Sequence, residues 1–206
     1  MSGAAPSSNW DAIGRELIAM AETDLRVRAE LAADGSLFEG YHPRMRAVHD
    51  EHAARLAAIL EAHGWPGTQR VGEEGAKAAW LIVQHAIGHP NLQRAALERL
   101  NEATSRGEMP PRYAAMLNDR IRTLEGRPQR YGTQYDWDAS GAMSPLPIED
   151  PAGVDRRRQT IGLRPLAEET AARRREVESS GERAPSDWAA RQRDMERWFR
   201  DVGWRR

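Results

Sequence analysis

Residues 76–90 read AKAAWLIVQHAIGHP, and most of the fold follows from this stretch. Ala76, Ala78, Ala79, Trp80, Leu81, Ile82, Val83, Ala86 and Ile87 leave almost no polar side when wound at helical spacing, and a helix that is apolar all round belongs in the middle of a bundle. The spacing predicts this helix over Glu73–Ile87, closed by Gly88 and Pro90. Gln84 and His85 sit in it with no solvated face to occupy, so each needs hydrogen-bond partners in the interior.

Outward from that centre the punctuation predicts four more helices before residue 125. The first runs from Asn9 through Leu31 and stops at Asp34-Gly35; the second covers Pro43–His63, with Pro43 in its first turn and Gly64 as its stop. The fourth and fifth span Asn91–Ser105 and Pro111–Leu124. From Gln129 to Trp137 the period changes to two, with Tyr131, Thr133, Tyr135 and Trp137 alternating with Arg130, Gly132, Gln134 and Asp136. This reads as a strand that turns at residues 138–141 into a second extended segment through Ile148. Helices over Pro151–Arg158, Pro165–Ser179 and Pro185–Val202 complete the chain. The expected fold is mainly α: a helical, bundle-like single domain over residues 9–180 with a small β-hairpin or extended segment near residues 129–148. A flexible stretch, 1–8, precedes it. A C-terminal amphipathic helix within 181–206 docks its Trp188, Met195, Trp198 and Phe199 stripe on the domain or on a second copy of the chain, the latter making a homodimer.

Composition narrows the function classes. The chain has 206 residues and no cysteine, which removes disulfides, thiolate metal sites and a cysteine nucleophile. The first residues are small and polar, and no apolar run approaches a membrane span, so a cytoplasmic protein without membrane contact is expected. Residues 1–150 hold 16 basic and 21 acidic side chains and residues 151–206 hold 14 and 10. The basic tail interleaves Arg173, Arg174 and Arg175 with Glu168, Glu169, Glu176 and Glu178 at intrahelical pairing distance, the pattern of a solvated face rather than a nucleic-acid interface. Arg156, Arg157 and Arg158 read as a solvated helix face, with an anion contact as the alternative.

Several polar residues interrupt the apolar stripes. Asp24 falls on the Ile13, Leu17, Met20, Leu31 face of the first helix, where a carboxylate needs a partner. Arg28 and Arg120 are the two guanidinium candidates, Arg120 because it lies on the Tyr113, Met116, Leu117, Ile121, Leu124 stripe. His52 lies on the Met45, Leu56, Ile59 stripe. His49 and His52 are three apart, and His85 and His89 four apart, but these spacings match no closed zinc motif, so neither a metal nor another cofactor is expected. HExxH, a glycine-rich phosphate loop, a GxSxG elbow and a dinucleotide fingerprint are all absent.

These residues carry a resemblance. Met20, Asp24 and Arg28, His63-Gly64-Trp65-Pro66, the block Ala79–Ala86 with Gln93, Asp119-Arg120 and the block Gln129-Arg130-Tyr131-Gly132-Thr133-Gln134 are together similar to a bacterial family known as domain of unknown function 6624, over about residues 10–170. Leu25 departs from the glutamine that the family tends to carry after the first-helix aspartate. The resemblance implies that the polar residues found by periodicity coincide with motif positions, and it brings no activity with it.

The expected site is a pocket between the first, third and fifth helices, lidded by residues 129–134. His85 is the expected general base, Asp24 or Asp119 orients it, and Arg120 holds a carboxylate or oxyanion; Arg28, Gln84, Gln129, Tyr131, Thr133 and Gln134 complete a ligand surface. Three functions fit: an enzyme doing acid–base or hydrolytic chemistry on a small molecule or peptide, a binding module using the same residues without turnover, and a structural protein whose polar cluster only fixes helix packing.

Overall fold

The computed structural model describes residues 9–33, 35–38 and 40–206; the expected flexible stretch 1–8 and the Asp34 part of the first helix stop lie outside the described residues. The chain is mainly α-helical, with one two-stranded sheet, and gathers into two compact units that divide between Met109 and Pro110. No helix among the described residues is long and apolar enough to cross a membrane.

The first unit holds α1 (Asn9–Ala33), a single 3-10 turn (Ser36–Phe38), α2 (Pro43–His63), α3 (Thr68–His85) and α4 (Pro90–Ser105). Its main packing is α1 against α3, and small residues set the distance. Gly14 lies so close to α3 that a β-carbon there would stand 3.1 Å from the Val71 carbonyl oxygen, and one on Gly75 would stand 2.9 Å from the Val71 β-carbon and 3.3 Å from Cα of Gly14. Leu17, Leu56, Ala76, Ala79, Ile82 and Val83 fill the core around this contact. Gly75→Val is therefore expected to destabilise the protein by about 1–3 kcal/mol through overpacking, read as a lower urea midpoint; an unchanged midpoint would show that α1 and α3 can part without loss.

α3 departs from expectation at both ends. Gly72 has φ +74 and ψ 171, which separates an N-terminal turn, Thr68–Val71, from the regular helix that starts at the expected Glu73. At the other end the backbone leaves the helix at Ala86, two residues early, because His89 caps α4 and Pro90 opens it. His85 is consequently the last helical residue rather than one buried on all sides. The side chain of Gln93, on α4, donates to the Val83 carbonyl at 2.8 Å and the Gln84 carbonyl at 3.3 Å, satisfying two of the acceptors that a helix end leaves open.

The second unit holds α5 (Pro111–Leu124), β1 (Tyr135–Trp137), β2 (Met143–Pro145), α6 (Val154–Thr160), α7 (Leu166–Ser180) and α8 (Trp188–Asp201). β1 and β2 pair antiparallel, Tyr135 opposite Pro145 and Trp137 opposite Met143. The Asp138 carboxylate closes their turn by accepting from the Ser140 amide and hydroxyl, the Ala142 amide and the Ser144 hydroxyl. The expected strand is thus much shorter than Gln129–Trp137. α8 lies against this hairpin and the end of α5: Trp188 Nε1 donates to the Trp137 carbonyl at 2.8 Å, Arg191 pairs with Asp136 at 2.7 Å, and Arg205 donates to the Thr123 and Leu124 carbonyls, both at 2.9 Å. Phe199 and Trp204 are buried there.

Candidate functional site

The α1–α3 contact and the neighbouring α2 bring three polar side chains of the first unit together. Asp24 lies on the buried stripe of α1 with Leu17, Ala21, Val27 and Leu31 and is 1% exposed. His85, ending α3, directs Nδ1 at its carboxylate, 2.9 Å from each oxygen. His49, on α2, places Nε2 3.1 Å from Oδ2, an ion-pair contact without a well-directed hydrogen bond. The two rings stand 5.4 Å apart, and the Tyr41 hydroxyl is 2.7 Å from the far nitrogen of His49, Nδ1. Tyr41 is held by packing against the Val27, Leu31, Met45 cluster. His49 is 7% exposed and the His85 side chain 19%, so the surface is reached through His85.

Two opposing effects act on Asp24. Burial alone would raise its carboxyl, but the His49 and His85 imidazoles outweigh that and hold it well below the usual carboxylate range. The Tyr41 phenol is pushed up by burial and by the Asp50 charge, so it keeps its proton. Of the two guanidinium partners predicted for Asp24, Arg28 is corrected, and imidazoles stand beside the carboxylate. Arg28 is exposed, because at its turn the buried stripe continues through Val27 instead.

The remaining polar residues of this unit are arranged around that centre. Gln84 is buried next to His85 with its Oε1 unpartnered. His89 Nε2 meets Asp50 at 2.8 Å in a half-exposed pair. His52 is buried, with Nδ1 unpartnered, and burial lowers its affinity for a proton against the weaker pull of Asp24 and Glu51. A group whose folded pKa is depressed contributes stability above its unfolded value, near 6.5, and that contribution is lost as pH falls towards the folded value. The melting temperature of His52→Met should accordingly fall less steeply than that of the parent from pH 6.5 downward. Parallel curves would show that the ring takes up its proton in the folded state without cost.

The other residues predicted for the pocket belong to the second unit, where they build a loop. Asp119, fully buried on α5, accepts from the amides of Arg130 (2.7 Å), Tyr131 (3.0 Å) and Thr133 (3.2 Å) and from the Thr133 hydroxyl (3.0 Å). Burial pushes its carboxyl up, and these donors pull against it. Gln129 uses its side chain as a strand would use backbone: Oε1 accepts from the Gln134 amide, while Nε2 donates to the Gln134 and Leu146 carbonyls. Gln134 reaches the Thr133 hydroxyl at 3.1 Å. Gly132 takes φ +66, a conformation other residues rarely adopt, and a β-carbon there would stand 2.6 Å from Leu166 Cδ1. From the opposite direction Arg158, 1% exposed, donates to the carbonyls of Tyr131 (2.6 Å), Gly132 (3.1 Å) and Arg164 (2.5 Å). The solvated face expected for Arg158 is therefore a correction, since three inward carbonyls claim its guanidinium. The lone pairs of Asp119, expected to orient the base, are occupied by this loop, and Arg120 is half-buried on the same helix.

Sequence reading did not select His49 or Tyr41 for the site. A signal for His49 exists: positions 45, 49, 52, 56 and 59 form one helical stripe, so His49 is as inward as His52. Tyr41 precedes the helix and carries no periodic signal.

The fold and this geometry define an α-helical protein with a histidine–carboxylate centre in its first unit. Its Asp24, His49 and His85 each offer one donor atom, all within 4.8 Å of one another, the one such group of histidine and carboxylate donors among the described residues. The chain belongs to DUF6624, a family of unknown function, whose match runs over residues 11–176 and so includes both the centre and the 129–134 loop. No curated protein and no solved structure matches it.

Proposed function

We propose that the protein is an enzyme that performs acid–base or hydrolytic chemistry on a small molecule or peptide, with Asp24, His49 and His85 as its working centre. The observation that carries this reading is a fully buried carboxylate flanked by two imidazoles, only one of which, His85, reaches the surface. Burying a charge is costly unless it is paired, and helix packing alone is served more cheaply by an apolar residue at position 24. Asp24 fixes the ring of His85, and a ring fixed at the surface end of a helix can meet a ligand in one orientation, the requirement for directed proton movement. The working unit is the trio rather than a single ring. Asp119, Gln129, Tyr131, Thr133 and Gln134 serve the architecture of the second unit in this reading.

The test compares the parent with His85→Gln, which keeps polarity and approximate volume, across a panel of ester, amide and phosphoester substrates. Turnover is expected to fall by about 10²–10⁴-fold with a melting temperature within a few degrees of the parent. Full turnover in a stable His85→Gln protein would remove the centre from the chemistry. Ligand binding that depends on His85, with no turnover across the panel, would move the protein to the binding-module reading.

A further inference from the structure

We infer that Asp24, His49 and His85 form a binding site for a divalent first-row transition ion. The inference rests on reading these residues as the working centre and adds the ion that such a centre would use to activate water. Two imidazoles and one carboxylate are a donor set that suits zinc, iron, manganese or cobalt. Three protein ligands are also the number that catalytic zinc sites use while keeping a position open. The carboxylate lies 2.9 Å from the His85 nitrogen and 3.1 Å from that of His49, the separation expected of neighbouring ligands each about 2.0–2.2 Å from one ion.

His49 supplies the independent observation. Its Nε2 is more than nine-tenths buried, lies beside the Asp24 carboxylate, and makes no hydrogen bond there. A buried ring nitrogen without a partner is rare. Tyr41 accounts for the other nitrogen at 2.7 Å. When His49 is neutral with Nδ1–H donating to the Tyr41 oxygen, Nε2 offers a lone pair beside the Asp24 oxygen, and a cation between the two satisfies both. Metal-binding histidines have their second nitrogen engaged in just this way, which fixes both tautomer and ring orientation. The ligands come from three helices, α1, α2 and α3, so the centre is held by the packing of the unit rather than by a loop. Their sequence separations of 25 and 36 positions explain why no closed spacing motif announces the site.

The experiment uses the full, tag-free chain, stripped with chelator and titrated by calorimetry with Zn²⁺, Mn²⁺, Co²⁺ and, without oxygen, Fe²⁺. One ion per chain is expected for at least one member of the series, with a rise in melting temperature and, for Co²⁺, visible absorption bands from nitrogen ligation. His49→Gln and His85→Gln should each weaken binding by more than the roughly 10–100-fold that losing an outer partner costs, and Tyr41→Phe by about tenfold. His89→Gln, outside the centre, should bind as the parent does. No binding across the series, or binding that is unchanged in both His49→Gln and His85→Gln, overturns the inference. If either histidine variant fails to fold, Tyr41→Phe against His89→Gln carries the comparison. Turnover that depends on His85 in a protein that binds no ion overturns the ion and leaves the acid–base reading standing; ion binding that depends on these histidines, without turnover, supports the ion and counts against that reading.

Discussion

Replacing Asp24 by alanine is expected to lower the unfolding free energy at pH 7 by about 3–5 kcal/mol. The carboxylate is the shared partner of two imidazoles in a region where water does not reach it. Truncation removes a charge-assisted hydrogen bond, worth about 1.5–3 kcal/mol. It also leaves the inward nitrogen of His85 without an acceptor, at about 1–3 kcal/mol for a buried group left unpaired, and removes the charge beside His49. Part of this is recovered because an imidazole can shed its proton, which a guanidinium cannot. The loss should be local in origin: amides of α1 and the C-terminal half of α3 should exchange faster in hydrogen–deuterium measurements, since these are the elements the carboxylate joins. Asp24→Asn keeps the shape but not the charge and should lie between the parent and the alanine variant. A variant melting within a degree of the parent would mean that the two histidines do not depend on Asp24.

How much of this centre could be read in advance differs from residue to residue. Asp24 was legible because a carboxylate on an apolar stripe contradicts its surroundings, and His85 because it follows Gln84 in an apolar helix. Their meeting was not, since 61 positions separate them and periodicity reports only which way a residue faces. Arg28 as the guanidinium partner of Asp24 failed on the same point: it is one turn away along the helix yet is exposed. Helix existence was carried by glycine and proline punctuation, and α2 and α5 run over the expected Pro43–His63 and Pro111–Leu124. Boundaries that depend on a competing cap were not, as the end of α3 at His85 shows. The alternation across residues 129–137 promised a strand, but a single buried carboxylate accepting from the 130, 131 and 133 amides bends the chain into a loop that no pairwise pattern encodes. Tyr135–Trp137 pairs as a strand, and Gln129 keeps an isolated bridge to Ile148.

That loop gives the second large expectation, a loss of about 3–5 kcal/mol for Asp119→Ala. Three backbone amides and one hydroxyl converge on the Asp119 carboxylate. Each buried donor left without an acceptor costs about 1–3 kcal/mol, less than additively because the loop can relax once several are released together. Asp119→Asn should recover little, because its amide nitrogen presents hydrogens where the loop presents its own. Arg158 provides the internal comparison. It donates to the Tyr131, Gly132 and Arg164 carbonyls, so Arg158→Met removes the opposite side of the same clamp. A carbonyl tolerates an unmet lone pair better than an amide tolerates an unmet N–H, so this variant should lose less than Asp119→Ala. Because both residues order the same segment, the double variant should fall short of the summed single losses, whereas Asp24→Ala with Asp119→Ala, which share no partner, should add. Urea unfolding of the parent, the single variants and the two double variants, with amide exchange of residues 130–133 followed in parallel, reads these differences. Additive losses for Asp119 and Arg158, or unchanged protection of the 130, 131 and 133 amides in Asp119→Ala, would mean that the loop is ordered by its hairpin neighbours and not by the carboxylate.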